Sequence, residues 1–252
     1  LRSDVKVGAY LSGGIDSSIV STVASKSLSS IETYTFTSKR HPNIDESAYA
    51  KSTSVFISSK HNEVEIEPGD VFALWKAAIY YMDEPEIGYS LLSQMAISKE
   101  VAKDLKVILG GQGGDELFFG YGWYSNLIFN NFFVKLKDIN MFEKIKIIYN
   151  FILHSSLVKI LRRAFGTDVQ TNYFNMWKEN GCWGLLKDKN DLFIKFKNKL
   201  KYDGSISSIK KFEFKYWLRA LLHVEDRSSM AYSLESRVPL IDDHDLIEYA
   251  FS

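Results

Sequence analysis

Near the start of the chain, the run Tyr10-Leu11-Ser12-Gly13-Gly14-Ile15-Asp16-Ser17-Ser18 gathers the groups needed to hold a polyphosphate. The adjacent glycines Gly13 and Gly14 let the backbone approach a ligand with no Cβ in the way. The N–H groups that follow begin a predicted helix and have no partner within it. Such a helix start favours an anion by about 0.3–1 kcal/mol, and by up to about 2 kcal/mol when partly buried. Ser12, Ser17 and Ser18 add hydroxyl groups. Asp16 is the odd member, because a carboxylate repels a phosphate unless a cation lies between them. The combination points to a magnesium-bound polyphosphate, against the plainer alternative of a βα turn with a serine-capped helix. Neither Gly-Lys-Ser/Thr nor Gly-x-Gly-x-x-Gly occurs in the chain, so the loop is neither the Walker pattern nor a dinucleotide fingerprint.

A second run, Leu109-Gly110-Gly111-Gln112-Gly113-Gly114-Asp115-Glu116-Leu117-Phe118-Phe119-Gly120-Tyr121, surrounds one polar residue with glycines and ends in two acids. Carboxylates from separate loops, Asp16 and Asp115, could share a Mg²⁺ that bridges phosphate oxygens. The alternative is a flexible loop before an exposed acidic helix start.

Both runs follow predicted strands, and the elements around them alternate. Val5 to Leu11 reads as a buried strand, followed by a helix with Ile19, Val20, Val23 and Ala24 on one apolar face. Ile31 to Thr37 is a β-branched and aromatic strand; residues 43–57 read as a helix capped by Asn43 or Asp45; His61 to Ile66 alternates as a strand. Pro68-Gly69-Asp70 opens a helix with Val71, Leu74, Trp75 and Ala78 on one face. Another, from about Leu91 to Leu105, leads into the strand Lys106 to Leu109. This alternation predicts an α/β fold, a parallel sheet with helices on both faces. Ligands in such sheets bind at the carboxyl ends of the strands, where both glycine runs fall. From about Gly122 the character becomes mainly helical, in segments such as 127–136, 142–152 and 185–200. The expected division is therefore a nucleotide-binding α/β core over 1–121 and a mainly helical portion over 122–252.

Composition narrows the class. With 46% hydrophobic and 25% charged residues the chain is globular, and no apolar run approaches the ~20 residues that span a bilayer. The single Cys182 excludes an internal disulfide and fits a reducing cytoplasm, and the first residues read as strand and not as a signal peptide. The net charge of zero hides an asymmetry: residues 1–120 carry 11 Lys and Arg against 16 Asp and Glu, and the remainder 20 against 15. Clusters such as Lys195, Lys197, Lys199 and Lys201 could meet nucleic acid, but lysine stems on a solvated helix face are the stronger reading. The start at Leu1 and the end at Ser252, inside a predicted helix with Leu246, Ile247 and Ala250 on one side, are expected of a piece of a longer protein.

The first run resembles the PP-loop, Ser-Gly-Gly-x-Asp-Ser, of the ATP pyrophosphatases, with their adenine nucleotide alpha hydrolase-like fold. With the second run and a third, Val224-Glu225-Asp226-Arg227-Ser228-Ser229-Met230 followed by Ser233-Leu234-Glu235-Ser236-Arg237-Val238-Pro239-Leu240-Ile241-Asp242, the chain resembles the synthetase domain of glutamine-hydrolysing asparagine synthetases. Asp45-Glu46-Ser47 and Asp83-Glu84-Pro85 match as well. The resemblance implies adenylation of the aspartate side chain by ATP with Mg²⁺, release of pyrophosphate, and attack by ammonia to give asparagine and AMP. It implies that Leu11 touches adenine, that Phe36 lines the base pocket, and that Gly110 and Gly111 meet the nucleotide through their backbone. Ser12, Gly13, Gly14, Asp16, Ser17 and Ser18 would hold pyrophosphate, and Asp16 and Asp115 the metal. Glu235 would orient a base or an amine, or else form a structural ion pair with Arg227 or Arg237.

The resemblance has departures. Gln112 stands where the family has an acid, and a glutamine cannot take a proton at neutral pH. β-Lactam synthetases, on the same scaffold, carry a tyrosine there, paired with a glutamate near the Glu235 position. The family's glutaminase domain and its lysine beyond the Arg-Val-Pro motif are expected to be absent from this sequence, so ammonia would come from a glutaminase domain or a separate subunit. A homodimer stays open. The competing readings are an amidotransferase or amide- or lactam-forming cyclase for another carboxylate, a PP-loop tRNA-modifying protein, and a nucleotide-binding module without catalysis.

Overall fold

The computed structural model describes residues 2–84, 90–122, 124, 170–171, 173–175, 189–203 and 205–252. The chain divides into two compact units, Leu1–Phe118 with Tyr216–Ser252, and Phe119–Lys215.

The first unit is built on strands β1 (Val7–Tyr10), β2 (Glu32–Phe36), β3 (Lys60–Val64), β4 (Val107–Leu109) and β5 (Glu235–Arg237). They form one parallel sheet in the order β3-β2-β1-β4-β5. Helices α1 (Ile15–Ser27) and α2 (Ser47–Phe56) cover one face. Helices α3 (Val71–Met82), α4 (Ser90–Val101) and α8 (Leu218–Met230) cover the other. The α/β class predicted from the alternating pattern is the class observed.

Side chains alternate across a strand, so each layer draws on every second residue. Val7, Ala9, Val107 and Leu109 pack against Val20 and Ala24 of α1. Tyr34, Val64 and Ile108 face Ile97 and Val101 of α4. Two features departed from expectation. Ile19 and Val23 are exposed because α1 turns Ser17, Val20, Ser21 and Ala24 toward the sheet, and the other two line a groove with Thr53 and Phe56 of α2. Trp75 likewise lies beside the buried stripe of α3, which is Leu74, Ala78 and Met82. The cap of α2 also differs in detail: Asp45 accepts from the N–H of Ser47 at 2.9 Å, after a short 3₁₀ turn, Pro42–Ile44.

Two short helices close the unit, α9 (Pro239–Asp242) and α10 (His244–Phe251), the latter capped by Asp243 accepting from the N–H of Leu246.

In the second unit, α5 having ended at Phe118 (Gly114–Phe118), the described elements include α6 (Lys189–Leu200) and α7 (Ile206–Phe212), which runs on into a π-helical turn, Glu213–Trp217. Tyr124, Tyr173, Leu200 and Ile209 form their core. The hydroxyls of Tyr124 and Tyr173 donate to the buried Glu213. On α6, Lys195 pairs with Asp191 and Lys197 lies over the Phe193 ring, an ordinary solvated helix face. The segments 127–136 and 142–152 and Cys182 lie outside the described residues. Among the described residues no helix is long and apolar enough to cross a membrane.

Candidate active site

Strand order decides where a ligand fits. The chain runs outward from β1 to β3, then returns to place β4 on the other side of β1. The connections therefore diverge between β1 and β4, and a crevice opens at the carboxyl ends of these two strands. The loops at that crevice are Leu11–Gly14 and Gly110–Gly113.

The first loop presents donors. Leu11 is fully buried and its N–H donates to the carbonyl of Tyr34, which ties the start of the first loop to β2. Gly13 has φ +92°, a conformation that L side chains rarely adopt, and its missing Cβ lets Ala50 N approach to 2.9 Å of that position. No side chain caps α1, whose N-cap is Gly14, so its first N–H groups remain open to an anion. Ser12 Oγ accepts from the N–H of Gly14 and lies 3.0 Å from Ser17 Oγ. Ser17 is buried and donates to the Gly14 carbonyl, which braces the loop, and Ser18 meets Thr53 Oγ1 of α2. Phe36 is half-buried at the carboxyl end of β2, beside the crevice strand β1.

The second loop fits onto the first through its glycines. A Cβ on Gly114 would strike the carboxylate of Asp16, and one on Gly111 would come within 2.7 Å of Ser17 N. Asp16 thus lies against the residue that precedes Asp115. Burial pushes both carboxyls above the usual carboxylate range, and for Asp16 the charge of Asp115 adds to it. A carboxyl whose proton affinity is raised by a neighbouring acid is one that a cation would relieve. Hard oxygen donors, two in number, match Mg²⁺, which takes one or two carboxylates and completes its shell with water and phosphate. No group of three or more potential metal ligands occurs among the described residues, so a closed all-protein metal cage is not part of the described site.

The third run closes over the second loop from the far side. The N–H of Gly110 donates to the carbonyl of Arg237 at 2.7 Å. The side chain of Ile241 fills the space a Cβ on Gly113 would need, and Glu225 Oε1 fills the space beside Gly110. Ser236 Oγ donates to the same carboxyl oxygen. Glu225 is buried in α8, and that burial pushes its carboxyl up to about 7 despite the Ser236 hydrogen bond, which lowers it. The same helix holds the turn after α3: Arg227 pairs with Asp83 at 3.1 Å, and His223 Nε2 donates to the carbonyl of Met82.

Gln112 is half-buried between the glycine pairs of the second loop. Glu235 is placed elsewhere. It pairs in register with Val107, the first residue of β4, three residues before Gly110 and toward the amino edge of the sheet. Its side chain is largely exposed and accepts from Arg237 Nε at 2.6 Å. The structure therefore gathers Asp16, Asp115, the serines, the glycines and Gln112 at one edge, and leaves Glu235 away from it. The sequence reading passed over Glu225. Its signal was available: an acid on the inner face of an amphipathic helix, where Leu218, Val224, Ser228 and Ser229 are also buried.

The family model for asparagine synthase matches residues 1–252. The chain belongs to the asparagine synthase family. Among its relatives is asparagine synthetase [glutamine-hydrolyzing] 1 of Bacillus subtilis, 29% identical over 260 residues, which are 96% of this chain and 40% of that protein. A putative asparagine synthetase [glutamine-hydrolyzing] 2 of Methanocaldococcus jannaschii is 34% identical over 126 residues, 50% of this chain and 24% of that one. The family is not uniform in name: "Amidase chry2" of Gibberella zeae is 29% identical over 136 residues, 48% of this chain and 20% of that one. The chain thus spans well under half the length of each of these relatives. An NH3-dependent NAD synthetase structure from Campylobacter jejuni is 17% identical with a TM-score of 0.32, covering 80% of this chain and 86% of that one, too loose a match to bear on function.

Proposed function

We propose that this family member is the synthetase part of an AMP-forming amide ligase, which uses ATP with Mg²⁺ to adenylate the side-chain carboxylate of aspartate and passes the acyl group to ammonia. The observation that carries the reading is the seating of Asp16 against Gly114, beside Asp115, at the uncapped start of α1. That arrangement puts anion donors and a pair of hard acidic ligands at one point, which suits a magnesium-bound polyphosphate such as the β- and γ-phosphates of ATP.

In this reading the open N–H groups of α1 and the Ser12 hydroxyl bind the pyrophosphate portion, while Ser17 and Ser18 brace the loop. The backbone of Leu11, Gly110 and Gly111 and the ring of Phe36 hold the adenosine end. Asp16 and Asp115 hold the metal, whose charge would offset the negative charge building on pyrophosphate as it leaves. Fixed donors aimed at developing charge are often the largest catalytic term, and one lost donor costs about 2.7–4 kcal/mol. Ammonia would come from a glutaminase domain or a separate subunit, as the names of the relatives suggest.

A second reading changes only the acceptor. Gln112 is the observation that favours it, because an amide at that position recognises by hydrogen bonds but takes no proton. Pyrophosphate release from Mg-ATP, measured with aspartate and then with other carboxylates, separates the two. Aspartate-dependent release supports the first. Silence with aspartate and a response to another acid supports the second, and no carboxylate-dependent release at all sinks both. Under the first reading, Gln112→Glu raises the rate of amide formation.

A further inference from the structure

Helices α1 and α2 carry their side chains against the usual amphipathic order. Helix α1 buries Ser17 and Ser21 beside Val20 and Ala24, and α2 buries only Ala50 and Ser54. The inward hydroxyls are satisfied locally: Ser21 Oγ donates to the carbonyl of Ser17 at 2.7 Å, and Ser54 Oγ to that of Lys51 at 2.8 Å. Ile15, Ile19 and Val23 of α1 and Tyr49 and Phe56 of α2 are left half or more exposed. Between the two helices runs a groove of about 610 Å³, walled by the three α1 side chains and Phe56. Ser18 and Thr53, hydrogen-bonded at 3.2 Å, join the helices along it, and Tyr49 lies beside Gly13 at one end.

Single apolar residues on a surface are ordinary, but a continuous face of them marks an interaction site. Five large apolar side chains this open, with the hydroxyl residues between them, present on the order of 800 Å², the share of each partner in a stable interface. Charge selects the partner. At a two-fold axis each residue near the axis meets its own copy, so a self-pairing face must carry no charge there. None of the described residues lining the groove is charged. The outer face of α3 is a contrast: it exposes Phe72, Ile79 and Tyr80, but Lys76 lies among them and would meet itself. At the two ends of α1 the exposed charges are opposite in sign. Glu46 adjoins Gly13 at the start of the helix, and Lys26 stands in its last turn. Two α1 helices running antiparallel bring each Lys26 toward Glu46 of the other copy, and their dipoles then oppose one another favourably.

We propose that the α1–α2 face is a homodimer interface. The Ile15–Ile19–Val23 ridge of each copy lies in the groove between α1 and α2 of the other, with the two α1 helices antiparallel and Ile19 close to the two-fold axis. Residues four apart form the ridge that interdigitates with the grooves of another helix. The pairing does not depend on which reaction the crevice performs.

The full chain should sediment at micromolar concentration as a species of twice its 28.9 kDa, and should dissociate on dilution. Ile19→Glu sets like charges together at the axis and should weaken the dimer by about 100-fold or more. Because Ile19 is half exposed, this variant should keep the wild-type circular dichroism and the unfolding midpoint that wild type shows when diluted to monomer. Phe72→Glu on α3 should leave the dimer intact. Ile19→Cys, in a chain whose single native cysteine is removed by Cys182→Ser, should form a disulfide with its own copy on oxidation. A chain that stays monomeric at submillimolar concentration overturns the proposal and leaves the face to another segment or protein. A dimer that survives Ile19→Glu, or that Phe72→Glu disrupts instead, lies on another surface and overturns it as well. A dimer lost with Ile19→Glu but never cross-linked through residue 19 overturns the two-fold pairing.

Discussion

In the loop after β1, a Cβ on Gly14 would meet only Ser12 Oγ, at 3.3 Å. In the loop after β4, Gly110, Gly111, Gly113 and Gly114 each have a protein atom already in the space a Cβ would take: Glu225, Ser17, Ile241 and Asp16. The same residue type therefore serves two purposes. Gly14 keeps a surface open to a ligand, and its neighbour Gly13 supplies the left-handed turn. The later glycines let parts of the protein close on one another, so that acids from α1 and α8 reach opposite ends of one short loop. A glycine-rich loop is not by itself a ligand cradle, and here the tighter of the two is packed mostly by protein.

Substitutions in the two loops should separate these uses. The largest effect is expected for Gly111→Ala, whose Cβ would sit 2.7 Å from backbone Ser17 N at the start of α1. Overpacking against backbone should cost about 1–3 kcal/mol in denaturant unfolding, and ATP turnover should be lost with it. A variant as stable as wild type would show that the two loops are less tightly joined than described. Asp16→Asn comes next and splits the readouts. Pyrophosphate release should drop about 100-fold or more, in line with the loss of a charge-stabilising group. Stability without Mg²⁺ should hold or rise, because the charge of Asp115 no longer opposes a half-buried carboxylate at this position. Retained turnover would remove the metal assignment.

A smaller and pH-dependent effect is expected at Glu225. Its carboxyl is raised from 4.5 to about 7 in the folded protein, so the folded state binds more protons than the unfolded chain between those values. Its contribution to stability is then complete below the ordinary carboxylate value and is lost as pH rises toward and through about 7. Glu225→Gln should flatten that part of the stability–pH profile, and an unaltered slope would mean the carboxyl is better solvated than its burial implies. Gly14→Ala should have the smallest effect on folding, since φ −69° and ψ 162° suit alanine. Its added methyl faces the open side of the loop, so KM for ATP should rise while unfolding changes little. If stability falls as it does for Gly111→Ala, the contrast between the loops fails.

The two glutamates of the third run show where legibility in sequence stops. Glu225 and Glu235 are ten positions apart, and motif position favoured the second. The first lies buried in α8 and the second is exposed on β5. Helical periodicity marks which face of α8 is apolar, but not which strand lies under it. Strand β5, only Glu235–Arg237, carries no run long enough to be recognised locally, and its partner β4 is more than a hundred residues away. The exposure of Ile19 and Val23 has the same origin, since the angle of α1 on the sheet decides which part of its apolar face is covered.

By itself the sequence determined the α/β alternation, the two loops, and the serines and acids they carry. Each of these depends on local chemistry: strand and helix periods, glycine at positions that admit close approach, and donors at a helix start. Only the tertiary structure decided that β4 returns beside β1 to open the crevice, that Asp16 meets the second loop at Gly114, and that Glu225 stands behind Gly110. Those are contacts between residues far apart in the chain, selected by how whole faces bury against one another, and no local pattern encodes them.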